Sequence, residues 1–170
     1  QPPAEGVVVD PQSWFASPGP FELEIGCGKG GFLLSRARAR PDIRILGIEL
    51  KNKQCEYCAD RLNRWLIENA RVMCIDARQL VMRHLPPQCV SILHLYHPDP
   101  WPKKRHHKRR LVQPDFADAA IRILKPGGVF FLYNLPRWNV LIGAYLTELG
   151  MDFRHWVAIE ISACLPIPGR

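Results

Sequence analysis

The sequence predicts an α/β fold, a mostly parallel sheet with helices on both faces. Short apolar segments and segments with helical periodicity alternate five times along the chain. Turns rich in Gly and Pro punctuate the junctions. Acids sit near the ends of the apolar segments, the edge at which parallel sheets bind their ligands. With 170 residues, the chain suits one domain with a substantial core.

Residues 1–20 are rich in Pro and Gly without periodicity and read as an N-terminal arm; residues 21–170 read as a single domain. "FELEIG" is a first strand running into "CGKGG", and "GFLLSRARAR" is a helix that stops before Pro41. "IRILGIEL" is a second, apolar strand ending on an acid. Residues 51–69 are expected as a long helix, with Ala59, Leu62, Leu66 and Ile67 on its apolar face. "RVMCID" is a third strand, followed by a short helix around Arg78–His84. "VSILHLYH" is a fourth strand, and a loop covers 97–112. "PDFADAAIRIL" is a helix with proline in its first turn. "KPGG" reads as a tight turn, "VFFLYN" as a fifth strand, Trp138–Leu149 as a helix capped by Gly150, and "FRHWVAIEIS" as a sixth strand.

The net charge is +7, and the run Lys103–Arg110 supplies +6 of it, so basicity is a local patch. A patch of this density faces polyanions, because each Lys or Arg that meets a phosphate releases condensed counterions. The bland reading of such a run is a solvated loop, and a nuclear-localisation signal matches its composition. The run abuts a strand and a helix of the folded core, which favours neither. No stretch is apolar and long enough to span a bilayer, and residues 1–20 do not have the charged-then-apolar pattern of a secretory leader, so a soluble, cytoplasmic protein is the expectation, with residues upstream of Gln1 left open. Six cysteines in a chain of this length do not read as a disulfide scaffold. Cys55 and Cys58 form a CxxC without a second ligand pair, which reads as two thiols on one helical face; no metal site is expected.

Gly26, Gly28 and Gly30 follow the first strand and allow a tight turn with close ligand approach. Gly31 also satisfies the GxGxxG spacing of dinucleotide sites, so the glycines alone leave a nicotinamide-dependent oxidoreductase open. Glu24, two residues upstream, separates the readings. A carboxylate there suits a cofactor with a cationic amine and sulfonium, S-adenosylmethionine, better than one with a pyrophosphate. Glu49 ends the second strand where an acid can accept from both ribose hydroxyls. Asp76 ends the third strand toward an adenine edge, with Ala77 beside it, and Asp99 follows the fourth. Four acids at four successive strand ends are costly to bury without partners and so point to a ligand. Pro98, Pro100 and Pro102 restrict the next loop, holding Asp99 and Lys103 at one mouth. Trp101 is read equally as a stacking platform for an unpaired base or as a residue buried under the loop.

The pieces "ELEIGCGKGGFLLSRA", "GIEL", "CIDAR", "HPDPWPKKRHHKRRLVQPDF" and "LKPGG" cover roughly residues 21 to 130. In order and spacing they resemble the tRNA (guanine-N7)-methyltransferase family. The resemblance implies a Rossmann-like class I fold dependent on S-adenosylmethionine, with methyl transfer to N7 of a guanine in the tRNA variable loop. It implies that Glu24, Gly26, Cys27, Gly28, Glu49, Leu50, Asp76, Ala77, Tyr96 and Asp99 hold the cofactor, with Asp99 also catalytic. Lys103 would contact substrate, and Arg105, His106, His107, Lys108, Arg109 and Arg110 would form the RNA-binding stretch with Trp101. tRNA is the partner so implied, to a monomer or homodimer, with a partner subunit left open.

The sequence departs from the family at three places. His97 stands where the family has Phe. "YNLPRW" replaces a substrate-contacting Thr-Asp pair, leaving Asn134 to hydrogen-bond without charge. The tail "VAIEISACLPIPGR" lacks the late Thr-x-x-Glu motif. A working enzyme and a divergent member with another RNA substrate or little activity both fit these departures. A purely RNA-binding protein would need the basic run but not Glu24, Glu49 and Asp76.

Overall fold

The computed structural model describes residues 2–96, 111–133 and 136–154. Strands β1 (Phe21–Ile25), β2 (Arg44–Glu49), β3 (Ala70–Cys74), β4 (Val90–Tyr96) and β5 (Leu124–Tyr133) form one parallel sheet in the order β3-β2-β1-β4-β5. Helices α1 (Gly31–Ala39), α2 (Asn52–Arg64), α3 (Ala77–Gln79), α4 (Pro114–Ile123) and α5 (Pro136–Glu148) connect or follow them. The chain steps outward from β1 to β3, then returns to the far side of β1 with β4. The order therefore reverses between β1 and β4, which makes their carboxyl ends the switch point of the sheet.

The two sheet faces differ in chemistry because residues alternate along each strand. Phe21, Leu23 and Ile25 of β1, with Leu46 and Ile48 of β2 and Leu93 and Leu95 of β4, join Phe116, Ala120 and Ile123 of α4 in one apolar core. On the opposite face, α1 and α2 bury Leu33, Leu34, Ala37, Cys58 and Leu62 over Ile43, Ile45 and Ala70. Where that second face reaches β1 and β4 it turns polar, presenting Glu22, Glu24 and His94, all buried. The arm is tied down. Val9 N–H donates to His84 O at 2.9 Å, His84 Nδ1 meets Val7 O at 2.8 Å, and Trp14 and Phe15 pack edge-on and tilted against Phe21. The arm is thus part of the packed unit.

Several elements differ from expectation for identifiable reasons. The helix expected over 51–69 ends at Arg64 in a Schellman motif: Ile67 N–H reaches Leu62 O at 3.0 Å and Leu66 N–H reaches Asn63 O at 3.1 Å. Ile67 still packs on the core, but Leu66 projects outward, 85% exposed. The short helix around Arg78–His84 begins one residue earlier as α3 and widens into a π-turn over Leu80–His84. The widened turn frees carbonyls of Val81 and Leu85, which Arg122 of α4 satisfies at 2.8 and 3.1 Å. "KPGG" turns tightly as expected, with Gly127 at φ +73° and Gly128 folded back to within van der Waals reach of Lys125, but the turn lies inside β5: Leu124 pairs with Val90, and Val129 already pairs with Ile92. The helix α5 starts at Pro136, and Gly150, at φ +89°, closes it. Residues 153 and 154 are not strand, and the remainder of the expected sixth strand lies outside the described residues.

Leu66 occupies the left-handed region at φ +52°, a conformation that costs a side chain about 1–2 kcal/mol. Its exposure means that removing the side chain gives up almost no packing. After the entropic cost of glycine, Leu66→Gly is expected to stabilise the protein by about 0.5–1 kcal/mol. Thermal unfolding should show a rise of roughly 1–4 °C; a fall would mean that Leu66 packs in solution.

Candidate active site

Beyond β1 the chain turns back through three glycines in the left-handed region, Gly26 (φ +76°), Gly28 (φ +55°) and Gly30 (φ +76°). The amides of Gly26 and Cys27 both donate to Ile48 O, at 2.8 and 3.0 Å, which lashes the loop to the end of β2. A side chain at Gly30 would collide with Cys58 and Leu34, whereas none would meet anything at Gly26. The loop is therefore close-packed beneath and open above. Cys27 takes part through its backbone only. Its side chain is buried against Cys58, and a Cβ on Gly47 would come within 2.9 Å of it. Burial and the Cys58 contact push the Cys27 thiol far above its ordinary range. The expected pair of thiols on one helix face is present, with Cys55 and Cys58 both buried.

The acids line the carboxyl edge in spatial order. Asp76 follows β3, Glu49 ends β2 and Glu24 lies one residue from the end of β1. Glu24 is 4% exposed; the Leu33 N–H in the first turn of α1 donates to its carboxylate, while Oε2 has no partner among the described residues. It serves α1 as an N-terminal cap that its N-cap residue, Gly30, cannot supply. Glu49 is more committed than expected for a ribose ligand. Its Oε2 accepts from Gly28 N–H at 3.1 Å, and its Oε1 from Leu50 and Lys51 N–H at 2.9 and 3.1 Å. It organises the glycine loop and the start of α2, and a diol would have to share Oε2 with Gly28. Leu50 donates its N–H to Glu49, and its side chain is 67% exposed. Asp76 caps α3 through Oδ1, accepting from Arg78 N–H at 2.7 Å and Gln79 N–H at 3.3 Å, which leaves Oδ2 toward the edge. Ala77 packs at the margin of the core. An unpartnered buried carboxylate beside an open glycine turn fits a ligand with a cationic head, and S-adenosylmethionine has one.

A polar network beneath this edge went unread in the sequence. Glu22 accepts from Arg36 at 2.8 and 3.0 Å and meets His94 Nε2 at 2.8 Å; His94 Nδ1 meets Tyr96 Oη at 2.8 Å. Burial raises the Glu22 carboxyl, but the His94 and Arg36 bonds outweigh it and hold it below the ordinary carboxylate range. An ionised Glu22 accepts a hydrogen bond from Nε2–H, so when His94 is neutral its Nδ1 accepts from the Tyr96 hydroxyl. Phe131 stacks on the His94 ring at 5.7 Å and Phe32 packs on both His94 and Tyr96. Burial pushes the Tyr96 phenol up to about 12. The network fixes Tyr96 at the end of β4. The signal was available: "FELEI" places two acids on one face of a strand beside "HLY".

Asp99, Trp101, Lys103, Arg105, His106, His107, Lys108, Arg109, Arg110 and Asn134 lie outside the described residues. Both ends of the basic stretch are nevertheless placed. It departs after Tyr96 at the switch point, and it returns at Leu111, whose carbonyl accepts from Arg78 Nη1 at 3.4 Å. Arg78 also pairs with Asp115 at the start of α4. Arg78 stands two residues beyond Asp76, so the stretch leaves and rejoins the fold along the carboxyl edge.

Burial without a compensating cation raises Glu24 from an ordinary 4.5 to about 7. Between those values the folded state keeps a proton that the unfolded chain has lost. Stability is therefore full below about pH 4.5 and falls as pH rises through 7, by roughly 3 kcal/mol in all. Glu24→Gln should remove that fall, so that unfolding curves of the ligand-free variant between pH 5 and 8.5 are flatter than those of the wild type. Identical pH dependence in the two proteins would show Glu24 solvated in solution.

A family model described as "Putative methyltransferase" matches residues 18–134. A tRNA (guanine-N(7)-)-methyltransferase of Salmonella typhimurium is 42% identical over 124 residues, 73% of this chain and 52% of that protein. One of Nitrosococcus oceani is 47% identical over 110 residues, 65% of this chain and 47% of that protein. The chain thus spans about half the length of these curated relatives. Among solved structures, a SAM dependent methyltransferase from Aquifex aeolicus aligns with a TM-score of 0.56 at 15% identity, covering 83% of this chain and 77% of that one. That likeness shows the fold, a Rossmann-like class I methyltransferase sheet. With its family model matched across both the glycine loop and the fourth strand, the chain belongs to this methyltransferase family.

Proposed function

We infer that the protein transfers a methyl group from S-adenosylmethionine to N7 of a guanine in tRNA. The observation that carries the reading is the carboxyl edge itself. Asp76, Glu49 and Glu24 stand on neighbouring strands there, and both ends of the one strongly basic stretch meet the same edge. The relatives named above carry that activity in their names, and the chain is 42% and 47% identical to them over 124 and 110 residues.

Glu24 would hold the cationic head of the cofactor, giving up its proton to do so. Gly26 and Gly28 let the ligand approach the backbone, Glu49 takes a ribose hydroxyl through Oε2, and Asp76 with Ala77 borders the adenine. Bound there, the cofactor supplies an electrophilic sulfonium methyl, and guanine N7 offers an exposed lone pair that needs no prior deprotonation. The protein's task is then alignment of the two centres within about 3–3.5 Å. Asp99 orients the guanine through its amino or ring N–H. Lys103 and the run Arg105–Arg110 hold phosphates, and Asn134 supplies a neutral hydrogen bond where the family has an acid. Residues 21–170 act as one domain on which the arm 1–20 is docked.

Incubation with unmodified bulk tRNA and methyl-labelled S-adenosylmethionine, followed by digestion of the RNA, should yield 7-methylguanosine. Asp99→Ala should reduce methyl transfer at least 100-fold while changing tRNA affinity less than threefold. Label in another nucleoside, or none from a protein that binds both cofactor and tRNA, would overturn the assignment.

A further inference from the structure

On the far side of the glycine loop, α1 and α2 present a surface outside the site just described. Tyr57 and Trp65 of α2 and its C-cap are half exposed, 50% and 48%. Cations sit over both rings: Lys29 Nζ is 5.6 Å from the Tyr57 centroid, the Arg61 guanidinium is 5.9 Å from Tyr57 and 5.1 Å from Trp65, and that of Arg38 is 5.3 Å from Trp65. The lower part opens into a groove of about 540 Å³ lined by Leu34, Ser35, Arg38, Ala39, Arg61 and Trp65.

Charge pairing separates these cations from their neighbours. Arg36, Arg40 and Arg64 each hold a carboxylate, Glu22, Asp42 and Asp60 respectively. Lys29, Arg38 and Arg61 hold none among the described residues. Arg61 instead donates to Lys29 O at 2.8 Å, which fastens the ladder to the glycine loop and so to the mouth of the site. Unpaired cations held in line by exposed aromatic rings are a surface suited to nucleic acid, the rings fixing the charges that meet successive phosphates. Tyr57 to Trp65 spans about 12 Å of helix, the length of roughly three to four phosphates along one strand.

We propose that the Lys29–Tyr57–Arg61–Trp65–Arg38 ladder is a second RNA-binding surface, which takes an RNA segment remote from the methylated guanine and continues the path from the active-site mouth. The inference rests on RNA being the substrate, as proposed above.

The test is fluorescence anisotropy of an end-labelled, unmodified tRNA transcript with the full chain at several salt concentrations. Arg38→Ala with Arg61→Ala should weaken binding about tenfold or more, and lower the slope of log affinity against log salt by about 1.5, two phosphate contacts' worth. Trp65→Leu should weaken binding severalfold with the slope unchanged. S-adenosylhomocysteine binding by calorimetry, unchanged in both, reports an intact fold. Arg105→Ala, Lys108→Ala and Arg109→Ala together separate the two readings. Loss of affinity in this triple variant, with wild-type affinity and slope in the Arg38/Arg61 variant, overturns the second surface and leaves the proposed function standing. That result would also leave the ladder to a protein partner. Unchanged affinity in both sets overturns RNA as the ligand of either surface.

Discussion

Two carboxylates on one face of β1, two residues apart, govern the site. Glu22 and Glu24 are both almost wholly buried, where an uncompensated charge is costly. Glu22 is compensated within the fold by Arg36 and His94 and stays ionised. Glu24 receives one backbone amide and no cation, and keeps its proton to about neutral pH. Neighbouring acids forced apart in this way take different roles. One is a structural anchor that fixes Tyr96 through His94, and the other is a buried carboxyl with one oxygen unpartnered among the described residues.

The remaining elements hold that arrangement in place. The glycine loop is pinned to Ile48 O from below and to Glu49 from the side, and the tight space at Gly30 and Gly47 leaves it no room to shift. Behind β4, the π-turn and α4 interlock through Arg122, and Arg78 joins α3 to the start of α4. These contacts tie the point at which the basic stretch rejoins the fold to the segment that carries Asp76. The segments that follow β3 and β4, on opposite sides of the switch point, are thus joined.

Much of this was legible in the sequence. The order of elements, the glycine loop and the acids Glu24, Glu49 and Asp76 follow from strand length, turn residues and position at strand ends. What escaped depends on partners distant in sequence. Glu22 was not singled out, because Arg36 and His94, 14 and 72 residues away, cannot be matched to it by periodicity. The end of α2 was overrun because its stop is a Schellman motif with leucine in place of glycine. "KPGG" was legible as a turn, but not that β5 begins before it, because the pairing of Leu124 with Val90 is set by a strand far away in sequence. Glu49 shows the limit from the other side: its position was legible, but its three backbone donors emerge only once the loop is folded over it.

The neutral state of Glu24 also sets the electrical character of ligand uptake. At neutral pH a substantial share of the molecules carries a proton on that carboxylate, and a cationic head group entering the pocket displaces it. Under the proposed function, uptake would be an ion exchange, one positive charge for another, with little change in the net charge of the site. The heat of such an exchange includes the ionisation of whatever buffer accepts the proton. A product that has lost its positive sulfur but kept its amine would still hold Glu24 in its charged form, so the proton would return only when that product departs.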